Sequence, residues 1–202
     1  MKKTICLCLS IFILATGFVI SASAAKAHTV VKGDSLWKIA KTYQVGLSEI
    51  KSANPTIKNY DLIYPGQIIN IPTLDQSVTS YEQEVVRLVN EIRKSKGLSP
   101  LTLDWELSRV ARYKSLDMKN LGYFSHTSPT YGSPFEMMKS FGITYRTAGE
   151  NIARGYSTPR AVVDAWMNSP GHRANILNSS FTHIGVGYVA TGNYWTQMFV
   201  GK

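Results

Sequence analysis

The apolar positions of this chain fall into three regimes. Behind Met1, Lys2 and Lys3, residues Ile5 to Ile20 form a nearly unbroken apolar run, and small residues from Ser21 to Ala27 follow it. A short cationic start, a short apolar stretch and a small-residue ending are the layout of a secretory signal peptide. The run is short for a membrane span. Ala22-Ser23-Ala24 and Ala25-Lys26-Ala27 both have cleavage-site spacing, so residues 1–27 are read as leader with removal after Ala24 or Ala27. No membrane span is then expected in the mature chain.

From residue 28 to 72 the pattern becomes strand, helix, helix, strand. H-T-V-V at the start and I-I-N-I at the end suit strands. Asp34 precedes Leu36, Trp37, Ile39 and Ala40, which predicts a helix capped by Asp34. A second helical turn spans Leu47 to Ala53 and is closed by Asn54-Pro55. The polar stretch T-L-D-Q-S-V-T at residues 73–79 reads as a linker.

Residues 80–202 open with Ser80-Tyr81-Glu82-Gln83, a capping-box spacing, then Val85, Leu88, Val89 and Ile92 at helical intervals as far as Gly97. A second helix runs from the Asp104 cap to Gly122. A third starts at Ser133-Pro134-Phe135-Glu136, and a fourth starts at Thr158-Pro159 and carries Val162, Val163 and Trp166. The end turns to strands: I-G-V-G-Y-V-A after His183, and Y-W-T-Q-M-F-V from Tyr194, joined at Thr191-Gly192-Asn193. Four helices and a terminal hairpin predict an α+β layered domain.

Composition narrows the functional classes. Both cysteines, Cys6 and Cys8, lie in the leader, so no disulfide is expected in the mature protein. Lys2, Lys3 and Lys26 also lie there, so the formal charge falls from +9 to +6 when residues 1–27 are removed. A basic surface attracts anionic polymers. The lysines and arginines are scattered rather than clustered, which argues against nucleic acid as partner and for an acidic wall polymer.

V-K-G-D-S-L-W-K-I-A, then N-P, then Y-P-G-Q-I-I-N-I-P resembles a LysM domain over residues 28–72. The resemblance implies a β-α-α-β fold that binds N-acetylglucosamine-containing glycans of the peptidoglycan type. Its groove would be formed by Gly33, Asp34, Ser35 and Leu36, by Asn54, Pro55, Thr56 and Ile57, and by Pro65 and Gly66. Glycines let backbone approach a ligand closely, and an aliphatic edge such as Leu36 could meet an N-acetyl methyl group. Equally, Gly33 and Gly66 could serve as turn residues, Asp34 as a cap and Trp37 as core.

Y-F-S-H at 123–126, G-E-N-I-A at 149–153, W-M-N-S-P-G-H-R-A-N-I-L at 166–177 and Y-W-T-Q-M-F at 194–199 resemble the CAP superfamily in its bacterial, cysteine-free form. That resemblance implies an α-β-α sandwich around a central antiparallel sheet, with an open cleft holding two histidines and two glutamates and in some members a divalent metal. His126 and Glu150 match the family set. Ser169 stands where the second glutamate is expected, Tyr194 where the second histidine is expected, and His172 offers another imidazole close by. No cofactor is required by this set; a weakly bound divalent metal on His126, Glu150 and His172 is compatible with the residue types.

Three readings follow. The first is a wall-associated binding protein, more in keeping with a family that lacks one agreed reaction. The second is an envelope hydrolase built on His126, Glu150 and His172. The third is a structural or regulatory component of wall or spore layers.

Overall fold

The computed structural model describes residues 26–202. The leader expected at 1–27 therefore lies outside the described residues except for Lys26 and Ala27.

The first module is built from β1 (Lys26–Thr29), α1 (Leu36–Tyr43), α2 (Leu47–Ala53) and β2 (Ile68–Ile71). The two strands are antiparallel, with Lys26 opposite Ile71 and Thr29 opposite Ile68. Strand β1 thus begins before His28, inside the segment read as leader. Val30, Leu36, Ile39, Ala40, Ile50, Ile69 and Ile71 form a closed apolar core of their own. The cap of α1 is Ser35 rather than Asp34. Ser35 has the extended backbone a cap requires, and its side chain accepts from the Lys38 N–H. Asp34 instead accepts from the Val31 N–H at 2.9 Å and pairs with His28 Nε2 at 2.8 Å, tying the loop back to β1.

The segment 73–79 is not a linker. Helix α3 (Gln76–Ser95) begins inside it, because Asp75 caps the helix by accepting from the Ser77 N–H at 2.7 Å. Val78 and Tyr81, one turn apart, extend the apolar face of α3 onto the core and keep this first turn helical. The capping box expected at Ser80 is therefore an interior stretch of helix.

After α3 come β3 (Thr102–Leu103), α4 (Trp105–Leu121), α5 (Pro134–Ser140), β4 (Thr147–Arg154), α6 (Pro159–Asn168), α7 (Pro170–Ile176), β5 (His183–Val189) and β6 (Tyr194–Gly201). The sheet order is β3-β5-β6-β4, antiparallel except for the short parallel pair β3–β5. Helices α4 and α5 cover one face through Leu107, Val110, Ala111, Met137 and Met138. Helices α3 and α6 cover the other through Val85, Leu88, Val89, Val162 and Trp166, closing the α-β-α sandwich.

Two residues of β5 explain how close α4 comes to the sheet. A Cβ on Gly185 or Gly187 would lie 2.3 Å or 2.1 Å from the backbone of α4, so only glycine leaves room for that helix. Ser115 of α4 then reaches across, bonding Gly187 O at 3.0 Å and Thr196 Oγ1 at 2.8 Å. On the opposite face the fully buried Arg93 donates to Ser99 O, Ile176 O and Asn178 O, pinning the end of α7 to α3.

Candidate functional site

Glu150 lies in the middle of β4 opposite Met198, so its side chain points to the α4 face of the sheet. The loop after α4 brings His126 over it, with Nδ1 at 2.7 Å from Glu150 Oε1. The carboxylate is buried, 2 % exposed, while the imidazole is half exposed at 52 %. With Glu150 as carboxylate, His126 Nδ1–H donates to Oε1. Glu150 Oε2 is buried and has no partner among the described residues. Burial raises the Glu150 pKa above the usual carboxylate range, against the pull of the His126 hydrogen bond and the Lys114 charge.

Two residues of α4, not singled out by the sequence motifs, hold the His126 loop in place. Lys114, almost wholly buried, donates from Nζ to His126 O at 2.7 Å and to the Tyr123 hydroxyl at 3.2 Å. Burial pushes its pKa down, opposed by Glu150 and Asp117. Asp117 accepts from Tyr123 OH at 2.6 Å, Ser128 Oγ at 2.7 Å and Thr130 Oγ1 at 2.6 Å. The sequence did hold a signal for Lys114. It falls on the same helical face as Val110, Ala111 and Met118, and a charge on an apolar stripe calls for buried partners.

His172 lies on α7. Its backbone O accepts from Asn151 Nδ2 at 3.1 Å, and Asn175 Nδ2 donates to Glu150 O at 3.2 Å, so α7 is bolted to the strand that carries Glu150. Its imidazole is pushed to a lower pKa, first by burial and then by the charge of His126. Ser169 is the junction between α6 and α7, and its side chain makes no capping bond. Tyr194 does not line this site. It is buried among Met118 and Ile152 with the Arg154 guanidinium 4.9 Å from its ring, an apolar environment closed by a cation on the aromatic face.

Among the described residues no group of three His, Cys, Asp or Glu side chains comes together to hold an ion, so the three-donor set expected of His126, Glu150 and His172 does not form. The set is one buried carboxylate carrying one half-exposed imidazole, suited to exchanging hydrogen bonds or a proton with a polar ligand.

The glycan loops divide in the same way. Gly33 and Gly66 are exposed with φ of 95° and 87°, and Gly66 N donates to Val30 O at 2.9 Å, which brings the 64–67 turn against the end of β1. Ser35, Pro55, Thr56 and Pro65 are exposed, and Ile57 is half buried. Leu36 is core and cannot present an edge to a ligand, because its side chain fills the space between α1 and the sheet. Asn54 is buried and structural: Nδ2 donates to Ile50 O and Asn70 O, and Oδ1 accepts from the Asn70 N–H, each at 2.8 Å. Apolar side chains left in solvent are instead Val31, Trp37, Leu62, Tyr64 and Ile68. Among the described residues no helix is long and apolar enough to cross a membrane.

An α-β-α sandwich whose edge strand carries a glutamate paired to a loop histidine defines a class, and comparison with known proteins agrees with it. The cysteine-rich secretory protein family pattern matches residues 86–201 and the LysM domain pattern matches residues 28–72. The chain belongs to the CAP, or cysteine-rich secretory protein, family and carries an N-terminal LysM domain. Protein YkwD of Bacillus subtilis (strain 168) is 65% identical over 126 residues, 62% of this chain and 49% of that protein. The spore coat assembly protein ExsA of Bacillus cereus is 50% identical over 95 residues, 45% of this chain and 15% of that protein. A crystal structure of an extracellular SCP-domain protein from Bacillus anthracis str. Ames superposes with a TM-score of 0.60 at 36% identity, covering 68% of this chain and 47% of that one. The chain thus spans about half the length, or less, of these relatives.

Proposed function

We propose that this protein is exported and held at the cell wall, where the LysM module grips N-acetylglucosamine-containing glycan of peptidoglycan and the CAP domain offers His126 and Glu150 to a polar ligand without cutting a bond. The observation that carries the reading is the exposed rim of Val31, Tyr64 and Ile68 at 59 %, 60 % and 64 %, gathered where the Gly66 turn meets the end of β1. Solvated backbone groups beside apolar side chains are what an acetamido sugar needs: hydrogen bonds for the amide and a surface for the methyl. The LysM resemblance and the extracellular setting of the B. anthracis relative support the same compartment. The likeness to a spore coat assembly protein favours a second setting, a spore layer, for the same binding function.

Against hydrolysis stand the lack of a three-donor metal set among the described residues and the burial of Tyr194, which leaves the His126–Glu150 pair without a second acid–base pair facing it. The test is incubation of the mature protein with purified peptidoglycan, reading both pelleted protein and soluble muropeptides. Tyr64→Ala is expected to weaken retention by about tenfold, the cost of one well-buried apolar contact. Muropeptide release that disappears in Glu150→Gln would replace the binding reading with the hydrolase.

A further inference from the structure

Only a short join links the LysM module to the CAP domain. Between the end of β2 at Ile71 and the cap of α3 at Asp75 only Pro72, Thr73 and Leu74 intervene. Across this short join, Arg109 of α4 reaches the start of α2. Its Nε donates to Glu49 Oε1 at 2.6 Å and its Nη2 to Ser48 Oγ at 3.0 Å. The pair is largely withdrawn from solvent, with side-chain exposures of 20 % and 13 %.

The guanidinium is fixed from its own side as well. It lies 5.5 Å from the Tyr113 ring and 5.1 Å from the Phe141 ring. Burial, with Glu49 nearby, pushes the Tyr113 phenol up to about 12. Arg109 is therefore held by CAP aromatics and spends its polar edge on LysM acceptors. An ion pair this far withdrawn from solvent is screened little by salt, and removing one partner leaves the other charge desolvated and uncompensated.

Gly46 lies directly against this contact. Its backbone, φ −73° and ψ 150°, is one that any residue adopts, so turn geometry does not require glycine there. A Cβ at this position would lie 2.2 Å from Arg109 Nε and 1.9 Å from Glu49 Oε2. The nearest group is Glu49 of the same module and the next is the Arg109 guanidinium, so a side chain at 46 would press on the ion pair itself. Val45 and Gly46 share one cleft with Leu74, Arg112 and Tyr113, so apolar surface from both modules surrounds the ion pair.

We propose that LysM and CAP form one rigid body latched by Arg109 on Glu49 and Ser48, so that the LysM rim and the His126–Glu150 site keep a fixed mutual orientation. Presentation of a wall glycan at a set angle to the CAP site rests on the function proposed above; the rigid coupling does not. A protein built this way reads an oriented polymer with both modules at once, whereas a tethered pair gains only local concentration.

The test is backbone 15N relaxation and residual dipolar coupling on the mature protein. The expected result is one rotational correlation time and one alignment tensor for LysM amides such as Ile50 and CAP amides such as Val186. Arg109→Glu should let the LysM amides tumble faster while the Ile50 and Ile69 signals stay at folded positions, and Gly46→Ala should do the same by wedging the contact. Combining Arg109→Glu with Glu49→Arg should restore common tumbling. Independent tumbling in the unsubstituted protein, or common tumbling retained in Arg109→Glu, would overturn the latch. Peptidoglycan pelleting is read separately, so failure of glycan binding and failure of the coupling are distinguishable.

Discussion

Glu150 meets His126 through one carboxylate oxygen, Oε1 to Nδ1 at 2.7 Å, and keeps the other, Oε2, buried with no partner among the described residues. Burial outweighs the His126 bond and the Lys114 charge and raises the Glu150 pKa above 4.5. A raised acid contributes stability that is fully present below its unfolded value and is lost as pH rises through its folded value. Glu150→Gln keeps the shape and cannot ionise, so the variant should gain stability relative to the unsubstituted protein as pH rises above the ordinary glutamate value. Denaturant unfolding of both proteins at several pH values checks this, and a trend in the other direction would mean that the ionised form is favoured by the fold.

His172 is expected to titrate below the ordinary histidine value of 6.5, because burial and then the charge of His126 both disfavour its protonated form. His126→Gln removes the second cause and leaves the first, so the His172 midpoint should move up only part of the way. Ring 1H–13C spectra across the titration give the answer. An unchanged midpoint would place the two imidazoles out of electrostatic reach.

Asn54 satisfies three backbone groups at once, Ile50 O, Asn70 O and the Asn70 N–H. Asn54→Ala leaves them without that partner in a mostly buried position and should destabilise the LysM module by about 2–3 kcal/mol. Unfolding followed through LysM signals measures the loss. A change under about 0.5 kcal/mol would show that water replaces the amide at little cost.

The mature N-terminus is predicted to be Ala25. Lys26 and Ala27 pair with Ile71 and Asn70, so cleavage after Ala27 would remove half of a four-residue strand, whereas cleavage after Ala24 leaves it whole. Intact mass of the exported protein distinguishes the two, and a chain starting at His28 would refute the argument.

Much of this was written in the sequence because it depends on near neighbours. The caps at Asp104, Ser133 and Thr158 hold where they were read, since a cap needs only a short polar side chain three residues before a free N–H. The Asp34 cap failed because two polar residues stood side by side and a distant partner, His28, claimed the first. The polar stretch before Ser80 looked like a linker until Asp75 capped it and Val78 found a core to pack on. Strand β4 escaped reading because T-A-G-E-N-I-A-R is buried over most of its length and shows no alternation.

The sequence alone determined the two modules, their order and the types of residue at the CAP site, because motifs and hydrophobic periods are local records of a fold. It could name His126 and Glu150, yet not that Tyr194 turns into the core, that Leu36 and Asn54 serve the LysM interior, or that Lys114 and Asp117 tie down the His126 loop. Those outcomes depend on which elements pack together across the sheet. Only the tertiary structure brought Glu49 to Arg109, sixty residues apart in the chain, and set both side chains against Gly46. Desolvation and close approach are properties of a packed whole, and no window of neighbouring residues contains them.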